Sequence, residues 1–201
     1  MPRNRHLAGA LLLGLLFALS ACGARGNAPP EAGYERGGVP SLQGQRVLVL
    51  PPQNALAGHG ALEEELSFQL TDRGQGIDWV LPGALRDRME RSPELDFSIE
   101  RLPVQGFLAG RLERIGDPLY GQLYRLGAVE NADLALLPVE VRQREAATGG
   151  TERHVEIVAS LVEVRSGRVL WFGVVEGAAG APGELATTAS AVDALARRLV
   201  P

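Results

Sequence analysis

The chain has 201 residues, of which 45% are apolar and 22% charged, and this is the composition of an ordinary globular protein. All 20 basic residues are arginines, which excludes chemistry that needs a lysine, such as a Schiff base or a P-loop. The formal net charge of −4 argues against a nucleic-acid partner, because a surface that follows phosphates needs a basic excess. A single cysteine excludes an intrachain disulfide.

The first 21 residues have the pattern of a signal peptide. Two arginines near the start precede an uncharged stretch from Leu7 to Gly23, whose apolar part is too short to span a bilayer comfortably. The stretch includes Leu19-Ser20-Ala21-Cys22, which resembles the lipobox of bacterial lipoproteins. The resemblance implies cleavage between Ala21 and Cys22 and lipid on the Cys22 sulfur, which would account for the unpaired cysteine. The alternative is an ordinary secretory signal in which the cysteine is fortuitous.

The lipobox resemblance also predicts where the protein resides. Two or three acyl chains, at about 0.8 kcal/mol per buried methylene, hold a protein at a membrane almost permanently. Gly23 follows the cysteine where inner-membrane lipoproteins of the better-known sorting systems have aspartate, so the resemblance implies the outer membrane of a bacterial envelope, facing the periplasm. Removal of residues 1–21 leaves 18 arginines and 24 acidic residues, a net charge of −6. We therefore expect the acyl chains, and not attraction to anionic lipid, to supply membrane affinity.

Residues 22–43 are predicted to be a lipidated, flexible tether. The 21 residues from 23 to 43 contain five glycines and three prolines without an apolar period. Such a coil would span on the order of 25 Å. The alternative is a loop packed on the domain, which is expected to occupy residues 44–201.

The domain begins with two predicted βα units. The apolar run from Arg46 to Pro51 predicts a strand buried on both faces. A helix is predicted from Ala61 to Arg73, with three leucines on one stripe. A strand at Ile77–Leu81 and a short helix at Gly83–Arg91 are predicted next.

The apolar residues of segment 94–117 show no clear helical or strand periodicity. A short extended piece is predicted near Phe97–Ile99, and one or two helical turns between Phe107 and Ile115. Asp117 is predicted to cap the next helix, with Pro118 at its first position.

The last third of the chain predicts three long strands and a helix. The strands are expected at Ala132–Gln143, His154–Val164 and Val169–Glu176, with turns at 148–150 and Ser166-Gly167 and a final helix at Glu184–Leu199. The order of elements predicts an α/β sandwich domain. Its mixed sheet has about five strands, parallel early and an antiparallel meander late, packed with helices.

Two passages resemble a small α/β domain of bacterial envelope proteins. Residues 124–137 run from a helix end through Gly127 and Ala132-Asp133 into a strand, and residues 163–171 form a strand, a turn and Val-Leu-Trp. With the opening Val-Leu-Val-Leu-Pro-Pro strand, they are similar to the amino-terminal domain of the Tol-system propeller protein, the lipoprotein activators of penicillin-binding proteins and the curli secretion lipoprotein. The resemblance covers residues 44–199. It implies this fold and a binding or assembly role, without a common catalytic set.

No motif in the sequence predicts catalysis or a cofactor. Gly58-His59-Gly60 lacks the third glycine of a dinucleotide fingerprint, because Glu63 stands at that position. The mature chain has only His59 and His154 as histidines, and it has no H-E-x-x-H or G-x-S-x-G motif. We expect no metal and no cofactor apart from the covalent lipid on Cys22. Trp79 and Trp171 are expected in the core.

The sequence therefore predicts a membrane-anchored envelope lipoprotein, not an enzyme, that binds an envelope protein in assembly or regulation. Two alternatives stay open: a subunit of an oligomeric secretion or trafficking complex, which would make the chain a homo-oligomer, and an enzyme with an unrecognised site. The candidate partner surface is the irregular segment 82–117 with Arg86, Arg88 and Arg91, because interfaces favour apolar and arginine side chains together. The hairpin at 143–153 is not expected to take part. The alternative is that the apolar residues complete the core while the arginines are solvated.

Overall fold

The computed structural model describes residues 30–54, 59–146 and 151–201. The signal peptide, Ala21 and Cys22, the first part of the predicted tether and the predicted turn at 148–150 lie outside these residues. None of the helices in the described part of the chain is both long enough and apolar enough to cross a bilayer.

The described residues form one mixed sheet of six strands. The strands are β1 (Glu35–Gly37), β2 (Arg46–Val49), β3 (Asp78–Val80), β4 (Leu134–Glu145), β5 (Arg153–Glu163) and β6 (Arg168–Glu176). Their order across the sheet is β1-β6-β5-β4-β2-β3. β2 pairs in parallel with β3 and β4, whereas β4, β5, β6 and β1 are antiparallel. The predicted α/β fold with a mixed sheet is confirmed, and β1 is a sixth strand that the sequence did not predict.

Helices cover both faces of this sheet. They are α1 (His59–Arg73), α2 (Pro82–Arg91), α3 (Leu119–Glu130) and α4 (Leu185–Leu199), with a short 3₁₀ helix at Gln105–Ala109. The apolar residues of α1 and α4 pack on one face, and those of α2, the following segment and α3 pack on the other. Successive residues of β2 point to opposite faces, so Val47 joins the first cluster and Leu48 the second. Trp171 is fully buried in the α1/α4 layer, as predicted, and Trp79 is partly buried against it.

Residues 30–43, which the sequence assigns to the tether, pack on the domain. β1 pairs with β6, the Gly33 N–H donates to the Val174 carbonyl at 2.9 Å, and Leu42 is buried. Gly37 has a φ of 76°, and a Cβ there would overlap the Leu170 carbonyl, so only glycine lets the chain follow β6 at this point. The glycine content that favours a tether is, at Gly37, a requirement of close packing. The predicted alternative of a packed loop applies to this part of the segment.

Two local predictions are confirmed only in part. The helical turns expected between Phe107 and Ile115 are a 3₁₀ helix that ends in left-handed Gly110 at a φ of 66°, after which Ile115 pairs with the turn before β6. The helix expected to begin at Pro118 begins at Leu119, after a cis Asp117–Pro118 bond. The Asp117 carboxylate still accepts the Gly121 N–H at 3.1 Å, so it satisfies one free donor of the first turn.

Candidate functional site

The arginines of the predicted partner surface lie on α2 and have different roles. Arg86 donates two hydrogen bonds of 2.6 Å to the Glu63 carboxylate and one of 2.7 Å to Glu100. These hydrogen bonds raise the pKa of Arg86, and those to Glu63 have the largest effect. Arg91 is exposed and makes no ion pair with any residue that the structure describes. Arg86 and Arg88 thus form ion pairs within the part of the chain that the structure describes, whereas Arg91 does not.

Arg88 belongs to an ionic brace around the buried carboxylate of Glu130, the last residue of α3. The Glu130 side chain is 3% exposed and accepts hydrogen bonds from Arg88 at 2.5 Å and from Arg46 at 3.0 Å. Burial opposes ionisation, but the hydrogen bonds from both arginines outweigh it, so the pKa of Glu130 lies below its ordinary value. The ionised carboxylate ties α2, α3 and β2 together. Arg88 is therefore occupied in holding the fold.

The apolar residues of segment 82–117 complete the core on one face of the sheet. Leu85 and Phe107 are almost fully buried, as are Leu95, Ile99, Leu102, Val104 and Ile115. This agrees with the alternative in which the apolar set closes the core. Contact with a partner through this segment stays a prediction, and the polar side that carries Arg91 is the part that remains accessible for it.

A row of charged side chains crosses the sheet where β6 ends. Arg142, Glu156 and Glu176 are in register on β4, β5 and β6, and Arg142 donates to the nearly buried Glu156 at 2.5 Å. The ring nitrogens of His154 lie 3.4 Å from carboxylate oxygens of Glu156 and Glu176. Burial raises the pKa of Glu156, but the Arg142 hydrogen bond and charge, with His154 and Arg144 adding less, bring it below its ordinary value. Glu156 is thus a fixed anion at neutral pH.

The amino-terminal segment is fastened beside this row. A cleft of about 590 Å³ is lined by Gln105, Leu108, Ala109, Glu140, Arg142, Gln143 and Arg144. Arg142 also donates to the Pro30 carbonyl at 2.5 Å, and the Tyr34 hydroxyl donates to the Gly110 carbonyl at 3.1 Å. Arg142 therefore links a buried carboxylate to the first described residue of the chain.

A second cleft lies at the opposite end of the sheet. It has a volume of about 410 Å³ and is lined by Tyr124, Gly127, Ala128, Asn131, Ala132, Asp133, Val164 and Arg165. Asp133 and Arg165 pair at 2.5 Å and balance each other's charge. Tyr124 is 49% exposed. Within residues 30–54, 59–146 and 151–201, no group of three or more histidine, aspartate, glutamate or cysteine side chains is placed to bind a metal.

Arg142 and Glu156 are not among the residues predicted from the sequence. The sequence does contain a signal for them, because Glu156 is the only charged residue within the apolar run from Val155 to Val162. A carboxylate in a strand that is buried along its length needs a cationic partner. That partner is expected on a neighbouring strand, where Arg142 lies.

Comparisons with known proteins give structural likenesses only. No protein-family model matches the chain, and no curated protein matches it. The dodecameric PelC of Paraburkholderia phytofirmans is similar over 83% of this chain and 95% of that chain, with 14% identity and a TM-score of 0.47. A second structure of a PelC dodecamer has 17% sequence identity and a TM-score of 0.46, over 84% of this chain and 98% of that chain. The lipoprotein GNA1162 of Neisseria meningitidis has 17% sequence identity and a TM-score of 0.40, over 70% of this chain and 85% of that chain. The similarity to the Tol-system, penicillin-binding-protein activator and curli domains stays a prediction.

Proposed function

We propose that the protein is a lipid-anchored, non-catalytic domain of a bacterial envelope, which acts by binding another envelope protein. The observation that carries the proposal is the sequence Leu19-Ser20-Ala21-Cys22, in which the only cysteine of the chain stands where the lipobox requires it. The lipid is the only added group in the proposal, and its site is Cys22. The outer membrane, with the domain in the periplasm, is the proposed location because Gly23 follows the cysteine.

The charged clusters of the domain support a non-catalytic role. Glu130 and Glu156 are its most buried carboxylates, and a general acid near neutral pH would need a raised pKa. Both have pKa values below the ordinary one, because arginines hold them ionised. Each carboxylate joins separate elements of the fold. Their geometry therefore favours a scaffold that presents a surface over a site that transfers protons.

The anchoring half of the proposal is tested by cell fractionation. Wild-type protein is expected in the membrane fraction, resistant to extraction by salt, because acyl chains and not charges hold it there. The Cys22→Ala variant is expected in the soluble fraction. A variant that stays at the membrane at the wild-type level would place the anchor elsewhere and contradict the proposal.

The partner-binding half is tested by capture from cross-linked cells. Arg91→Glu is the sharpest probe of segment 82–117, because Arg86 and Arg88 hold acidic residues of the same chain and their reversal would disturb the fold. The comparison variant is Arg153→Glu on the 143–153 hairpin, where the partly exposed arginine pairs with Glu145 at 3.4 Å. Loss of a captured protein with Arg91→Glu alone supports the predicted surface. Loss with Arg153→Glu alone would place the surface on the hairpin.

Light scattering of the detergent-extracted protein tests the alternative of an oligomeric secretion or trafficking subunit. A monomer supports a tethered binding domain. A discrete large homo-oligomer supports the alternative. In either case the lipid on Cys22 remains the means of attachment.

A further inference from the structure

Residues 30–38, which we call the strap, carry β1 along the outer edge of β6. None of them is buried, and none belongs to either cluster of core side chains. The residues that follow do pack on the core, because Val39 lies partly buried against the α1/α4 layer and Leu42 is a buried member of it. The firmly packed part of the chain therefore begins after the strap.

Hydrogen bonds and exposed side-chain contacts hold the strap in place. The Val174 N–H donates to the Tyr34 carbonyl at 2.9 Å, and the Tyr34 ring meets Phe172 edge-on with 6.0 Å between the ring centroids. Glu35 pairs with Arg198, and water reaches both side chains. Contacts of this kind stabilise little, because water competes for the same groups. An edge strand held in this way opens at a lower free energy than the core unfolds.

The strap also limits how far the domain can stand from its lipid. Pro30 follows Cys22 by eight residues, and Val39 follows it by seventeen. Fully extended, eight residues reach about 29 Å and seventeen reach about 61 Å. Release of the strap therefore about doubles the greatest distance between the lipid and the packed domain.

We propose that the strap is releasable: it leaves the edge of β6 while the other five strands stay paired, and the domain then reaches farther from the membrane. The gain in reach rests on lipidation of Cys22, whereas the opening itself does not. A partner that lies beyond the reach of the closed form binds only the open form, and so it shifts the equilibrium towards that form. The strap thus couples the length of the anchor to the binding of a distant partner.

Amide hydrogen exchange of the mature protein in detergent tests the opening. The Val174 amide is diagnostic, because it lies in β6 but donates to the strap. The Leu50 amide, which donates to the Leu136 carbonyl at 3.0 Å, reports unfolding of the central sheet. Val174 is expected to exchange at least a hundredfold faster than Leu50, at a rate that low urea concentrations hardly change, because the opening exposes little surface. Equal exchange rates overturn the proposal.

Two neighbouring glycines provide a variant and its matched control. A Cβ at Gly37 would overlap the Leu170 carbonyl, whereas a Cβ at Gly38 meets nothing within 4 Å. Gly37→Val is expected to speed exchange of the Val174 amide at least tenfold over Gly38→Val, with the Leu50 amide unchanged. If Leu50 loses protection together with Val174, the strap and the domain unfold as one unit and the proposal is overturned.

Energy transfer to the bilayer tests the gain in reach. Both variants receive Arg91→Cys on the exposed side of α2, and this cysteine is the only free thiol because lipid occupies Cys22. A donor dye on it faces vesicles of phosphatidylethanolamine and phosphatidylglycerol that contain a rhodamine-labelled lipid. Transfer is expected to be at least a third lower in Gly37→Val than in Gly38→Val, and equal transfer overturns the gain in reach. Failure of the protein to float with the vesicles overturns the lipid anchor and the gain in reach together, whereas the exchange rates still decide whether the strap opens.

Discussion

Trp171 and Gly173 are predicted to depend on each other for the packing of β6. They lie two residues apart and therefore on the same face of the strand. A Cβ at Gly173 would overlap the indole ring of Trp171, and Trp171 is 0% exposed. Removing the ring should cost about 3–5 kcal/mol of unfolding free energy, through lost apolar contact and the cavity it leaves.

Gly173→Ala should be destabilising only while the indole is present. In the wild-type background it overpacks the core and should cost about 1–3 kcal/mol. In the Trp171→Ala background the same change should stabilise the chain by about 0.5–1 kcal/mol, because alanine restricts the unfolded chain more than glycine does. The double-mutant cycle should thus give a coupling of roughly 1.5–4 kcal/mol.

The assay is equilibrium urea unfolding of the chain from residue 22, with Cys22→Ser so that no lipid is attached. Gly38→Ala is the matched control, because a Cβ there meets nothing within 4 Å, and its effect should stay within about 0.5 kcal/mol. If Gly173→Ala has the same effect with and without Trp171, the overlap does not determine the packing and the reasoning is refuted.

Three further predictions concern the ionic groups. Glu130→Gln should lower the free energy of unfolding, measured in urea, by about 2 kcal/mol. This is less than for a fully buried ion pair, because water can solvate the half-exposed Arg46 and Arg88. An unchanged free energy of unfolding would contradict the brace. The folded-state pKa values of Glu130 and Glu156 are lowered, so their stabilisation is present above the unfolded value near 4.5 and is lost as pH falls through the folded values. Urea titrations at successive pH values should show this acid-side loss, smaller in Glu130→Gln; an equal loss in both would count against Glu130. Arg142→Gln should speed hydrogen exchange of the Gly33 amide at least tenfold, since the bond to Pro30 is lost; unchanged protection would show that β1 pairing alone holds the segment.

Periodicity predicted the regular elements of this fold well. The β2 run and the three late strands were identified because their apolar runs are long and bounded by glycine or proline. The amphipathic pattern of α4 gave its carboxyl-terminal end at Leu199 and its start to within one residue. These are segments in which local propensity and burial favour the same structure.

Segments that depend on distant contacts were not predictable in the same way. Composition assigned residues 30–43 to a tether, yet β1 forms because β6 presents a free edge and Gly37 fits against the Leu170 carbonyl. The extended stretch near Ile115 is likewise set by its hydrogen bond to Gly167, which is remote in sequence. The brace at Glu130 joins residues 42 and 84 positions away. Nothing in a linear pattern reports such pairings.

The candidate functional residues also differ in how far the sequence alone predicts their roles. The lipobox can be identified from sequence because a processing motif is linear, whereas the roles of Arg86 and Arg88 depend on acidic residues brought close by folding. Arg91 is exposed and forms no ion pair with the residues that the structure describes, and its contact with a partner stays a prediction. The sequence alone could not separate these three arginines.

The central claim is that Cys22 carries the membrane anchor, and the intact mass of the membrane-extracted protein tests it most directly. The expected result is a chain that begins at Cys22 and carries a diacylglyceryl group, with or without a further acyl chain on its amino group. A chain that begins at another residue, or that begins at Cys22 with an unmodified thiol, would contradict the account.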